Sequence, residues 1–289
     1  MSTTLDHLGF VGPQLDAMRA AFAALGFAPT EPKPLMGREP DTGAAVPLDQ
    51  WSCHVVFERG YLELSAVTSR SADHHLASYG AGLQICAIGT PDVIAAHKRC
   101  RAADVRAGAA QWAAREIQYG KRHGEARFHW FMIDPADAPE GLLCYVEHAT
   151  PELVYQSEVQ QHPNGAQSLT LLGVVLPTTD ALSAAAERYA RILGVPGQRS
   201  TAGECEFRLA GGLIVLYTAG AARARFGEAA RATTAAFAVV GVAVADRRAA
   251  AHQLAQHAVP FDTREELLIV PPVAACGAIL CLHSPGRVF

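Results

Sequence analysis

Apolar positions along the first 27 residues change period once. Leu5-Asp6-His7-Leu8-Gly9-Phe10-Val11 is a short β-rich run, and residues 14–25 then place apolar side chains at helical spacing before Gly26-Phe27. A short apolar run followed by a period near 3.6 predicts a strand leading into an amphipathic helix. Gly26 sits where a left-handed C-terminal cap costs least. The same succession returns much later: Leu169-Thr170-Leu171-Leu172-Gly173-Val174-Val175 registers with the first run without gaps, and a helical stretch over 180–193 ends at Gly194-Val195.

Two weaker copies fill the intervals. Residues 83–88 precede a helix opening near Pro91-Asp92, and 237–244 precede a helix over 246–257 that ends before Val259-Pro260. Paired strand-like runs follow each helix: 54–57 with 61–67, 127–133 with 142–148, 206–209 with 213–218, and 267–270 with 278–283. Most are β-rich and bounded by Gly, Pro or Asp. The expected organisation is therefore a βαβββ-type module repeated four times, an α+β fold. One module exposes an apolar sheet face and cannot stand alone; pairing two covers it and curls the sheets into a half-barrel or funnel. The expected domains are 1–150 and 166–289, with 151–165, carrying Pro151, Pro163 and Gly165, as linker.

Composition narrows the classes. Half of the 289 residues are hydrophobic and 18% are charged, which is enough to build a sizeable core and argues against disorder. A net charge of -4 without a long Lys/Arg run gives no footprint for nucleic acid or a membrane surface. No signal-peptide pattern and no membrane-span length of apolar sequence is present. The seven cysteines include no Cys-x-x-Cys pair, and Cys86, Cys144, Cys276 and Cys281 lie in apolar runs. A reducing cytoplasm is the expected compartment. There is no Gly-x-Ser-x-Gly elbow, phosphate-cradling Gly-Lys-Ser/Thr loop or dinucleotide fingerprint.

Leu5-Asp6-His7 before a helix closing at Leu25-Gly26-Phe27, followed by Tyr61-Leu62-Glu63-Leu64, resembles the opening module of the vicinal-oxygen-chelate superfamily, which includes glyoxalase I, extradiol dioxygenases and bleomycin-type resistance proteins. His148-Ala149-Thr150-Pro151-Glu152 and His162-Pro163-Asn164-Gly165-Ala166 are similar to glyoxalase-like domain proteins in particular. The resemblance implies a divalent metal (Zn, Ni, Mn or Fe) held by first-strand His or Gln and last-strand Glu of two facing modules. Carried over residue by residue, the ligands are His7, Glu63, Gln84 and Glu147, with His148 taking the place of Glu147 if the second module is shifted by one. Such an ion would chelate adjacent oxygens of a substrate, with Glu63 or Glu147 as catalytic base. His54, Tyr61, His129 and Tyr145 are the expected substrate contacts.

The last two modules supply an internal comparison. Leu171 and Val239 stand at the position of His7, and 213–218 and 278–282 contain no Asp or Glu. The C-terminal half is therefore expected to be scaffold, lid or homodimer surface, with the site in the first half. Two functions remain open. One is a metal-dependent isomerase, lyase or dioxygenase acting on a small oxygen-rich molecule. The other is a metal-free binding or resistance protein, its pocket lined by Tyr61, His129, Trp130 and Tyr145. Taken alone, His7 reads first as a hydrogen-bonded core histidine, and with Glu63 present the ligand reading draws level. His74-His75 reads as a solvated turn after Arg70-Ser71, or as a loop pair bordering a pocket.

Overall fold

The computed structural model describes residues 3–38, 42–67, 74–76, 78–233 and 235–286; Arg70-Ser71 lies outside them. Strand β1 (Thr4–Val11), helix α1 (Leu15–Ala24) and strands β2 (Lys33–Arg38), β3 (Ala45–Val56) and β4 (Tyr61–Val67) make the first module. The second follows the same order: β5 (Gly82–Gly89), α2 (Val93–Ala102), β6 (Gln111–Ile117), β7 (Gly124–Met132) and β8 (Leu142–His148). These eight strands close on themselves in the order β1-β4-β3-β2-β6-β7-β8-β5. β1 runs parallel to β4 and β5 parallel to β8, while the modules join antiparallel at β1–β5 and at β2–β6. The expected half-barrel is thus a complete barrel in this half, because β2 and β6, which the sequence pattern does not reveal, meet and shut its open side.

A short helix α3 (Pro151–Val154) leads into the second half. It contains β9 (Ala166–Leu176), α4 (Thr179–Leu193), β10 (Gln198–Arg199), β11 (Glu204–Leu209), β12 (Gly212–Thr218), α5 (Ala219–Phe226), β13 (Phe237–Val244), α6 (Arg247–Gln256), β14 (Asp262–Arg264), β15 (Leu267–Val270) and β16 (Ile279–His283). The sheet order, β10-β11-β12-β9-β13-β16-β15-β14, repeats the barrel's connectivity but stays open. β10 and β14, two and three residues long, stand where β2 and β6 close the barrel. Their place on the concave face is taken by α5. Ala222 and Phe226 pack there against Leu171, Val215, Tyr217 and Val239, with Phe226 edge-on to Tyr217 at 5.4 Å. The sequence reading does not anticipate α5, whose Ala- and Arg-rich residues show little amphipathic pattern.

Local chemistry explains the module boundaries. Asp92 caps α2 by accepting from the Ala95 N–H at 2.8 Å, and Thr178 caps α4 through Ala181 N–H at 3.1 Å. Gly194 takes the left-handed conformation (φ 69°) that ends α4. Gly9 answers a different need: a Cβ there would stand 2.7 Å from Ile85 Cβ, so the β1–β5 seam requires the smallest residue. α1 packs on the outer face of β3 and β4 and α2 on β7 and β8. Strand alternation then divides the barrel: Leu62, Leu64, Cys86 and Tyr145 belong to the core under the helices, whereas Tyr61, Ile85, Cys144 and Val146 face the interior. No helix among the described residues is long and apolar enough to cross a membrane.

Candidate functional site

Inside the barrel, polar side chains collect on one wall. Tyr61 and Glu63 of β4, His7 of β1, Gln50 of β3 and Arg115 of β6 border a cavity of ≈ 80 Å³. Leu35, Ile85, Phe128, Trp130, Leu142 and Val146 supply its apolar surface. One water needs about 10–15 Å³ of such space, so the cavity has room for several waters or a small organic ligand.

His7 is held in a network that runs away from the cavity. The β1–β5 register slips between Leu5 and His7. Such a bulge lets consecutive side chains turn toward one another, and the Asp6 carboxylate accepts from His7 Nδ1 at 2.8 Å. Asp6 also accepts from His148 Nε2 at 3.1 Å and from the Tyr155 hydroxyl at 3.1 Å. Burial pushes the Asp6 carboxyl up, but the charge and hydrogen bonds of His148 and His7 outweigh it and hold it far below the usual carboxylate range. His7 Nε2 points to Glu63 Oε2 at 3.8 Å, and the imidazole stacks on Tyr61 with ring centroids 4.4 Å apart.

Glu63 is as buried as Asp6 (6% and 7% exposed) but poorly satisfied. Its nearest donors, Gln50 Nε2 and Arg115 Nη2, both stand at 3.4 Å from Oε1, beyond the ordinary hydrogen-bond range. Arg115 is anchored from behind: Nη2 donates to Ser52 Oγ at 2.9 Å and Nη1 to the His54 imidazole. Its Nε is buried with no hydrogen-bond partner among the described residues. Burial and then the Arg115 charge press the His54 pKa well below its ordinary value, so His54 stays a neutral acceptor.

The structure brings together only part of the expected set. His7, Glu63 and Tyr61 meet at the cavity, and His54 stands behind Arg115. Gln84 alternates with Ile85 and is not among the cavity residues; its amide reaches Ala81 O at 3.4 Å. The carboxylate of Glu147 points outward and accepts from Val93 N–H at 2.8 Å, at the start of α2. Tyr145 shares that outer face and donates to Ile192 O, and His129 packs on Trp112 beside Glu147 in the strand register. Inward emphasis in β8 falls on Cys144, Val146 and His148, the one-residue shift that the sequence left open. Likewise, the His74-His75 pair is not a solvated turn but borders the cavity: His74 Nε2 contacts Leu48 O at 2.9 Å, its ring stacks on His75, and His75 lines the cavity.

Counting along the parallel registers identifies what faces His7 and Glu63. His7 pairs with Tyr61 and Gly9 with Glu63; in the second module Ile85 pairs with Leu142 and Ala87 with Cys144. Ile85 therefore occupies the place of His7, and Cys144 that of Glu63. Burial, then the neighbouring Cys86, Glu63 and Asp6, push the Cys144 thiol well above its ordinary pKa, the reverse of what a thiolate ligand needs. No group of three or more His, Cys, Asp or Glu among the described residues is arranged to hold a metal ion. The donors present do not fit the four-ligand site implied by the resemblance. Asp6, Gln50 and Arg115 were missed in the sequence; the available signal for Arg115 was a charge in phase with Ala113 and Ile117.

A sequence model of the glyoxalase-like domain matches residues 5–193. No curated protein sequence matches the chain. Among solved structures, a hypothetical protein from Staphylococcus aureus is similar at TM-score 0.63 and 12% identity, over 98% of this chain and 100% of its own. A mutant of 4-hydroxymandelate synthase from Streptomyces coelicolor is similar at TM-score 0.62 and 14% identity, over 100% and 94%. A xylose isomerase-like TIM barrel/4-hydroxyphenylpyruvate dioxygenase fusion protein matches at TM-score 0.60 and 13% identity, and there the chain spans 49% of the longer protein. At such identities the likeness is one of fold. By its family match and its paired βαβββ modules, the chain belongs to the glyoxalase-like domain family of the vicinal-oxygen-chelate superfamily.

Proposed function

We propose that the N-terminal barrel is a proton-transfer enzyme, of the isomerase or lyase class, acting on a small carbonyl compound. The observation that carries this reading is the contrast between two buried carboxylates. Asp6 receives three donors within 3.1 Å, while Glu63, on the cavity wall, has none nearer than 3.4 Å. A saturated carboxylate orients its partners; an unsatisfied one bordering a cavity is available to accept a proton. Asp6 fixes the His7 ring, and His7 fixes the side from which a ligand approaches Glu63. The apolar remainder of the lining also suits simple sequestration of a hydrophobic molecule, so turnover must be measured directly.

Hydroxyacetone, dihydroxyacetone and 2-oxobutanoate serve as probes in deuterium oxide, with loss of the proton signal next to the carbonyl followed by NMR. The expected result is protein-dependent exchange of at least one probe, reduced on the order of 100-fold or more in Glu63→Gln. Exchange that survives unchanged in Glu63→Gln sinks the assignment of the base, and ligand binding without any exchange supports sequestration instead.

A further inference from the structure

The second module places Ile85 and Cys144 where His7 and Glu63 stand in the first, and of the two side chains that come within 3.4 Å of Glu63, Gln50 and Arg115, one is a cation. Arg115 enters from β6, is 6% exposed, borders the cavity and stands 3.4 Å from Glu63. Building on the proton-transfer reading, we infer that the Arg115 guanidinium supplies the positive charge at this site, as an oxyanion holder, and that the chemistry runs without a metal ion.

Three features carry the inference. The guanidinium is preorganised: Ser52 Oγ and neutral His54 accept from its two terminal nitrogens, so it need not reorganise when charge develops beside it. It is under-used: Nε–H has no partner among the described residues, and the contact to Glu63 is long. A buried guanidinium keeps its charge under all ordinary conditions. The rest of the lining is Ile85, Leu142 and Val146 with His75 and the Cys144 thiol, which burial keeps from ionising, and no three His, Cys, Asp or Glu among the described residues are grouped to hold an ion.

The step balances without an oxidant. Glu63 accepts the proton from carbon next to the ligand carbonyl, and the C–H electron pair becomes a C=C bond. The carbonyl π pair moves to oxygen, where the resulting negative charge lies against Arg115. Return of the proton from Glu63 to the same carbon regenerates the ligand and reads as exchange with solvent. Return to the former carbonyl carbon of a 2-hydroxy ligand, with the hydroxyl proton passing to the enolate oxygen, gives the isomeric hydroxy carbonyl. The ligand class is a small 2-oxo or 2-hydroxy carbonyl compound.

The test uses the exchange assay above on chelator-treated protein, with and without added Zn²⁺, Ni²⁺ or Mn²⁺, beside Arg115→Ala and Arg115→Lys. The expected result is wild-type exchange that neither chelation nor added ion alters. Arg115→Ala should lose on the order of 100-fold or more, with part of the rate restored by millimolar methylguanidinium. Glu63→Gln should not be rescued by that compound. Wild-type exchange that appears only with added ion overturns the inference while leaving Glu63 as the base. So does an Arg115→Ala protein of wild-type rate when Glu63→Gln is inactive. Absence of exchange in wild-type protein with all three probes overturns the underlying reading as well. Thermal unfolding monitors each variant; if Arg115→Ala does not fold, Arg115→Lys and the wild-type metal arm decide, Arg115→Lys at full rate or a metal requirement counting against the proposal.

Discussion

His54 and Asp6 carry opposite acid–base consequences although both are buried in the same barrel. His54 is kept neutral by burial and by Arg115, so its folded pKa lies well below the value near 6.5 that it regains on unfolding. The unfolded chain therefore binds the extra proton first. The stabilising contribution is fully present above about pH 6.5 and is lost progressively as pH falls toward the folded pKa. Asp6 acts in a lower window: its depressed folded pKa stabilises the protein above the unfolded value near 3.9 and is lost as pH falls below it. Urea unfolding at pH 7.5 and pH 5 is expected to show a loss of stability attributable to His54. In His54→Gln, which keeps an acceptor for Arg115, that loss should shrink; an equal loss in the variant would assign it elsewhere. At this scale His7 and Glu63 were legible because polar residues interrupt apolar strands. Arg115 was not, because its strand alternates weakly and has exposed Gln111 and Trp112 at its start.

Glu147 illustrates how an element can override a local motif. Tyr145-Val146-Glu147 repeats the spacing of Tyr61-Leu62-Glu63, and by sequence the two glutamates look equivalent. The parallel register makes Cys144 the equivalent instead, and Glu147 emerges on the helix side of β8, where it accepts from the first turn of α2. An anion there satisfies an orphan N–H and faces the positive end of the helix. Glu147→Ala is expected to destabilise the protein by about 1 kcal/mol in denaturant titration. Glu147→Gln should leave the exchange rate unchanged, and a large rate loss would return Glu147 to the chemistry. The strand–helix openings of the first and third modules were readable because their apolar period changes sharply and a Gly closes each helix, and the two weaker copies followed from them. β2 and β6 were not: Pro34 and Gly37 dilute the strand signal of the first, and both are partly exposed, so no clean alternation marks them.

Between the halves, Arg99 of α2 ties the barrel to the end of α4. Its guanidinium donates to Ile192 O at 2.7 Å, to Arg191 O at 3.2 Å and to the Tyr145 hydroxyl at 2.6 Å, while Tyr145 itself donates to Ile192 O at 2.8 Å. The last carbonyls of α4 thus find donors and a cation where the helix dipole is negative. Tyr145→Phe removes the hydroxyl from this clamp and is expected to cost about 1–2 kcal/mol, read as a lower urea midpoint; an unchanged midpoint would show that Arg99 holds α4 alone. The pairing of modules was visible in the sequence as repetition, but not which sheet would close, since that depends on the lengths of β10 and β14 and on α5. Its burial against Tyr217 and Val239 occupies the concave face of the second sheet. A chain with four copies of one module offers two concave sheet faces, one of them already filled by its own helix, so a saturating titration should end at one small molecule per polypeptide rather than two.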